Sequence, residues 1–278
     1  MTRRAIDRAR RLTAGAVRVL PRRVRAELQR ALATNDAAAA GNVYERLYDA
    51  QGRVMALASS IGAGDFDLIG RRELGLLRME HLRPTDTLVD LGCGTGRLAV
   101  HVIPTLTGGH YVGIDIAQSM LDHAQALIAA RHPSPPCRVT WQQQRTEVFH
   151  LPDASVDMMC AFSVFTHMEH EDAYRYLVSA RRVVRPGGRF LFSCLPMSLA
   201  AARDIFLESA SRDHSARWAS VRNVTTTVEM METLATMAGW TVRRWYPGDA
   251  PVIETPGESG PGALGQATCV LERTAAAR

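Results

Sequence analysis

The stretch Leu88-Val89-Asp90-Leu91-Gly92-Cys93-Gly94-Thr95-Gly96-Arg97-Leu98-Ala99 decides how this chain is read. Its apolar start predicts a buried strand, its alternating glycines a tight turn, and its apolar end the opening of a helix. Glycine at 92, 94 and 96 permits positive φ and leaves no Cβ between backbone and ligand, while the N–H groups that open the helix face the same spot. The spacing G-x-G-x-G departs from the G-x-G-x-x-G dinucleotide fingerprint, and Asp90 stands two residues before the first glycine. An acid there repels pyrophosphate and favours a cationic ligand. A purely structural turn would also use glycines, so the neighbouring segments must decide.

Downstream, Tyr111 to Asp115 reads as a second strand ending in an acid, 23 residues after Gly92. That is where a doubly wound fold meets a ribose diol. Ser119 to Arg131 predicts a helix, and Arg138 to Gln142 a short third strand. A loop holding Glu147 leads to a fourth strand from about Val156 to Phe162 and a turn holding His167. A helix over 171–184 ends at Pro186-Gly187-Gly188, followed by a fifth strand, Arg189 to Leu195. Strand alternating with helix over short loops argues a parallel sheet covered on both faces.

Thr227 to Gly239 reads as a helix, Thr241 to Trp245 as a sixth strand and Ala267 to Arg273 as a seventh. With no helix between them, the last two strands are expected to pair antiparallel. Upstream, Gly62 to Gly70 reads as a loop, Arg71 to Leu82 as a helix stopped before Pro84, and 97–106 as a helix after the glycine turn. Residues 196–225 read as a polar, irregular insert with an amphipathic patch near Ile205 to Leu207. Residues 1–61 form an N-terminal helical extension: an arginine-rich amphipathic part broken near Pro21, a small-residue connector, and a helix carrying Tyr44 and Tyr48 one turn apart.

The chain has 278 residues, 46% of them apolar, enough for one sizeable core plus an accessory segment. No apolar run reaches the roughly 18 residues that span a bilayer, so a cytoplasmic protein is expected. Five scattered cysteines with no C-x-x-C pair suggest neither a disulfide framework nor a metal site. All 33 basic residues are arginine, which excludes lysine Schiff-base chemistry and P-loop lysine contacts. Residues 1–30 carry a local net charge of +8, which leaves −3 on the rest. That basic arm could bind nucleic acid or a membrane surface, but no aromatic residues interleave its arginines, so nucleic acid is not the expected partner.

Three stations agree: LVDLGCGTGR, GID with Asp115, and LPDASVDMMCAFSVFTHM followed by RVVRPGGRF. Together they resemble the class I S-adenosylmethionine-dependent methyltransferases over roughly residues 70 to 273. DLIGRRELG and SVFTHM look most like bacterial small-molecule or glycan-modifying members. The resemblance implies a Rossmann-like doubly wound sheet of seven strands, mostly parallel with an antiparallel last strand, as a domain over 62–278. It also implies S-adenosylmethionine as cofactor. Gly92, Gly94 and Gly96 would meet its methionine portion, Asp90 its ammonium through water or backbone, and Asp115, with Ile116 beside it, the ribose hydroxyls. Glu147 stands where the family usually has an Asp for the adenine amino group, and Val148 N–H would meet the ring. Phe162 and Ser163 would line the methyl side, and Arg71 would hold the cofactor carboxylate or form a surface salt bridge.

Methyl transfer from a sulfonium is an in-line displacement, so the protein chiefly aligns the nucleophile and, for an oxygen acceptor, removes its proton. His167 is the base best placed by sequence, with helix capping as its structural alternative. The [DNS]-P-P-[YFW] signature of nucleobase- and glutamine-methylating relatives is replaced here by AFSVF, which directs the expectation to a small-molecule oxygen or nitrogen acceptor. Tyr44, Tyr48, His167 and Trp218 are the expected acceptor-side residues, with 1–61 and 196–225 as lid and cap. Apolar residues on the N-terminal helices would suit a homodimer. Two other readings stay open: the same fold and cofactor running a non-methylating reaction such as a cyclisation, and a non-catalytic binding protein working through its basic N-terminus.

Overall fold

A computed structural model describes residues 65–214, 217 and 221–274. The expected N-terminal extension, with Tyr44 and Tyr48, lies outside the described residues, as does Trp218. In chain order the elements are α1 (Phe66–Met79), β1 (Thr87–Leu91), α2 (Ala99–Val102), β2 (His110–Asp115), α3 (Gln118–Arg131), β3 (Arg138–Gln143), β4 (Val156–Ala161), α4 (His170–Val183), β5 (Val184–Pro196), α5 (Ala200–Ala210), β6 (Thr225–Thr226), α6 (Val228–Met237), β7 (Thr241–Tyr246) and β8 (Ala267–Glu272). Short 3-10 turns cover Ile103–Thr105 and Phe165–His167.

The main sheet runs β3-β2-β1-β4-β5-β8-β7. The first five strands are parallel, and β8 lies antiparallel between β5 and β7. The chain winds outward from β1 to β3 and then returns to β4 on the other side of β1. The carboxyl ends of β1 and β4 therefore flank the switch point, where open α/β sheets bind ligands.

Alternation along each strand divides the core into two layers. Val89, Leu91, Val112, Ile114, Met159 and Phe190 pack against Ala173, Leu177 and Ala180 of α4 and Met231 and Ala235 of α6. Leu88, Tyr111, Met158, Cys160 and Leu191 face Leu74 and Leu77 of α1, Val100 and Val102 of α2 and Ile128 of α3. Each fully buried Val, Leu, Ile, Met or Phe among them contributes about 1.5–3 kcal/mol. Near the switch point the Phe165 ring stacks on Phe192 with centroids 4.8 Å apart and meets Phe190 edge-on at 5.9 Å. Those rings anchor the turn that carries His167.

Four local expectations are corrected. Residues 66–70 are helical, because Asp65 caps α1 by accepting the Leu68 N–H at 2.9 Å. Residues 200–210 of the insert form α5, which buries Leu199 and Ala202 against Leu195 and Ala267. The helix expected over 97–106 is one α turn followed by a 3-10 turn at Pro104. Residues 225–226 add β6, a two-residue strand parallel to the end of β5.

Candidate cofactor-binding site

The glycine turn takes the conformations its sequence allows: φ is +71° at Gly92, +54° at Gly94 and +91° at Gly96. The N–H groups of Gly92 and Cys93 both donate to the Ile114 carbonyl, at 2.7 and 3.0 Å, tying the turn to the end of β2. A Cβ at Gly92 would stand 2.3 Å from Val164 Cγ2, and one at Gly96 3.3 Å from Ala124 Cβ, so both positions serve close packing. Among the described residues, a Cβ at Gly94 would meet nothing within 4 Å. The middle glycine faces open space, as a ligand cradle requires.

Asp115 closes the turn from the side. Its Oδ2 accepts the Gly94 N–H at 2.9 Å and its Oδ1 the Ala117 N–H at 3.0 Å, with the residue only 8% exposed. Gln143 Nε2 donates to the Ile116 carbonyl at 3.0 Å, and Gln144 N–H to the Asp115 carbonyl at 2.9 Å. The β2 and β3 ends are thereby locked into one rim.

Asp90 lies beneath the turn, on the layer that faces α1 and α2. Its Oδ2 accepts the Tyr111 hydroxyl at 2.7 Å, and its Oδ1 is 3.6 Å from the Cys160 thiol. Burial pushes its carboxyl up to about 7, against the pull of the Tyr111 hydrogen bond. The side chain is thus engaged beneath the turn rather than at its open face. Beside it Arg97 and Glu73 form an ion pair, the glutamate side chain 3% exposed. Arg71 lies on the same helix as Glu73, one residue past Gly70, whose missing Cβ lets the Arg97 carbonyl pack against α1. Among the described residues the buried Arg71 Nε has no hydrogen-bond partner, which suits an anionic group such as a carboxylate.

On the β3 side, the Glu147 carboxylate pairs with Arg175 of α4, Val148 is 49% exposed, and the Tyr176 hydroxyl donates to the Thr146 carbonyl at 3.3 Å. Burial and then the neighbouring Glu147 charge push the Tyr176 phenol up to about 12, so it stays a neutral donor. On the β4 side, Phe162 is buried and Ser163 holds φ +60°, a strained conformation for a residue with a Cβ. The next residue, Val164, packs on Gly92. His167 Nδ1 bonds to the Arg222 carbonyl at 2.8 Å, and the Val224 N–H donates to the Thr166 carbonyl at 2.7 Å, so the end of the insert is docked on this turn. Burial lowers the His167 pKa, favouring the neutral ring.

The structure thus gathers Gly92, Gly94, Asp115, Ile116, Phe162 and Ser163 at one strand end, with Gly96 and Asp90 behind and beneath the turn. Gln143, Gln144, Ser193 and Gln266 also belong to the rim, and sequence reasoning missed them. A run of three glutamines at 142–144 after a short strand was the available signal for the first two. The sites of Ser193 and Gln266 follow only from the antiparallel β5–β8 pairing.

Residues 88–188 match the family model described as a methyltransferase domain. The chain is 33% identical over 147 residues to malonyl-[acyl-carrier protein] O-methyltransferase of Serratia marcescens, covering 51% of this chain and 53% of the relative. It is 32% identical over 114 residues to 27-O-demethylrifamycin SV methyltransferase of Amycolatopsis mediterranei, covering 41% and 40%. The chain spans about half the length of the curated relatives it matches. Among solved structures, magnesium protoporphyrin IX methyltransferase from Synechocystis PCC 6803 with bound SAH superposes with a TM-score of 0.58 at 14% identity, covering 84% of this chain and 98% of that one, a likeness of fold. The glycine turn, the β2 carboxylate and the strands β2 to β4 all lie within the segment that matches a methyltransferase domain, and the whole sheet has the fold of solved methyltransferases.

Proposed function

We propose that this chain transfers a methyl group from S-adenosylmethionine to an oxygen or nitrogen of a small-molecule acceptor by in-line displacement. The observation that carries the reading is the open Gly94 face with the Asp115 carboxylate at its rim. When bound, S-adenosylmethionine supplies a sulfonium-activated methyl group. The turn and Asp115 would hold the donor, the Arg71 Nε its carboxylate, and Glu147 with the Val148 N–H its adenine. Phe162 and Ser163 would wall the methyl position, leaving proximity and alignment as the main source of rate. An oxygen acceptor is favoured by two of the curated relatives, whose names specify one.

His167 is the assigned base for such an acceptor. The Arg222 carbonyl can only accept, so the neutral ring keeps its proton on Nδ1 and Nε2 is its unprotonated nitrogen. Residues 196–225 serve as the acceptor cap, since their return segment is pinned to the His167 turn. Tyr44, Tyr48 and Trp218 belong to the same proposal, as acceptor-side residues of the extension and the cap. The experiment is incubation with methyl-labelled S-adenosylmethionine and a panel of hydroxyl- and amine-bearing small molecules. Label in a methylated product supports the reading; conversion of a substrate with label retained in the cofactor defeats it.

A further inference from the structure

Three side chains that no binding or catalytic role has yet claimed together meet behind the strained Ser163. The Ser163 N–H donates to Ser193 Oγ of β5 at 2.7 Å, the Ser193 hydroxyl donates to Gln266 Oε1 at 2.6 Å, and Gln266 Nε2 donates back to Ser163 Oγ at 3.0 Å. The three bonds close a ring that joins β5, the entry to β8 and the residue just past β4. Every donor in it faces an acceptor, and the Ser193 hydroxyl both receives and gives. The ring holds Ser163 at φ +60°, which costs a residue with a Cβ on the order of 1 kcal/mol or more. That backbone turn in its place sends Val164 onto Gly92, where no Cβ stands in the way.

We propose that Gln266, acting with Ser193, is a positioning residue for the cofactor: the amide clamps Ser163 in its left-handed conformation and thereby fixes the Val164–Gly92 contact that shapes the glycine cradle. Gln266 lies more than a hundred residues beyond the glycine motif, in the Gly/Pro-rich segment before β8, and it is part-buried at the strand ends. Its carbonyl oxygen is the acceptor that the Ser193 hydroxyl requires, and Ser163 Oγ lies within reach of both ends of the amide, 3.0 Å from Nε2 and 3.3 Å from Oε1. The assignment rests on S-adenosylmethionine binding at the turn, as proposed above.

The test is calorimetric titration of the full chain with S-adenosylhomocysteine, paired with thermal melting of the ligand-free protein. Gln266→Ala should weaken binding about three- to tenfold, the equivalent of one or two net hydrogen bonds. The ligand-free melting temperature should stay within about 2 °C of wild type, since the ring lies at a strand end rather than in the core. Gln266→Glu keeps an acceptor for the Ser193 hydroxyl and, with Ser163 turning its own proton inward, should recover most of the affinity. Ser193→Ala should repeat the Gln266→Ala loss and serves in its place if that variant does not fold. Binding by Gln266→Ala and Ser193→Ala within twofold of wild type overturns the proposal, as does a loss of affinity that only tracks a fall in melting temperature. Absence of binding by the wild-type chain overturns the cofactor reading itself, which separates the two failures.

Discussion

The Asp115 carboxylate and the Gly94 N–H, 21 residues apart in the chain, meet at 2.9 Å across the ends of β1 and β2. The other carboxylate oxygen takes the Ala117 N–H, so one side chain sets both the glycine turn and the entry to α3. The proposed ribose role asks the same carboxylate to accept a ligand's hydroxyls as well, which its remaining lone pairs allow.

Asp115→Asn removes the charge and replaces one acceptor by a donor that confronts a backbone N–H. Charge-assisted bonds of this kind contribute about 1.5–3 kcal/mol, so S-adenosylhomocysteine binding should weaken roughly ten- to hundredfold. Calorimetric titration at 25 °C checks it, and an unchanged affinity would remove Asp115 from the ribose role.

Asp90 makes stability depend on pH. Its carboxyl is raised by burial from the ordinary 3.8 to about 7, among Tyr111, Cys160, Glu73, Arg97 and Cys93. Between those two values the folded protein keeps a proton that the unfolded chain has released, so stability falls as pH rises through the window and the penalty is complete above about 7. Asn at this position keeps an oxygen for the Tyr111 hydroxyl and carries no charge. Asp90→Asn should therefore melt several degrees above wild type at pH 8, with the gap closing toward pH 4. A gap that does not change with pH contradicts the account.

The Glu73–Arg97 pair joins α1 to the end of the glycine turn. Arg97→Met strands the Glu73 carboxylate, 3% exposed, next to Asp90 and should destabilise by about 3–5 kcal/mol in urea unfolding. The double variant Glu73→Met/Arg97→Met should recover most of that loss. Equal costs for the single and double variants would show that packing, not the uncompensated charge, is at stake.

How far the sequence carried these conclusions differs by region. The LVDLGCGTGR turn, the acid ending β2 and the alternation up to β5 are local patterns, and the antiparallel β7–β8 pair followed from the missing helix between them. The start of α1 did not show because Gly70 closes a glycine-bounded stretch, 62–70, that reads as a loop, whereas Gly75 sits inside the expected helix. Both are close-packing positions: a Cβ at Gly75 would stand 2.3 Å from the Glu254 carbonyl oxygen, a contact 179 residues away in the chain. The place of β8 between β5 and β7, and with it the Ser163–Ser193–Gln266 ring, depends on long-range pairing that no local period records. Asp90 was legible as an acid by the turn, but its burial beside Tyr111 and Cys160 came only from the register of β1 against β2 and β4.

The central claim is that the glycine turn is the donor's seat, and Gly94→Ala tests it most directly. A Cβ there meets no atom of the described residues within 4 Å, so its folding cost among them is that of holding alanine at φ +54°, about 1–2 kcal/mol. The same Cβ stands in the open face of the cradle. Calorimetric titration with S-adenosylhomocysteine should show binding by wild type and at least about tenfold weaker binding by Gly94→Ala, while thermal melting shows the variant folded. Equal affinity for the two proteins, or no binding by wild type, would contradict the account.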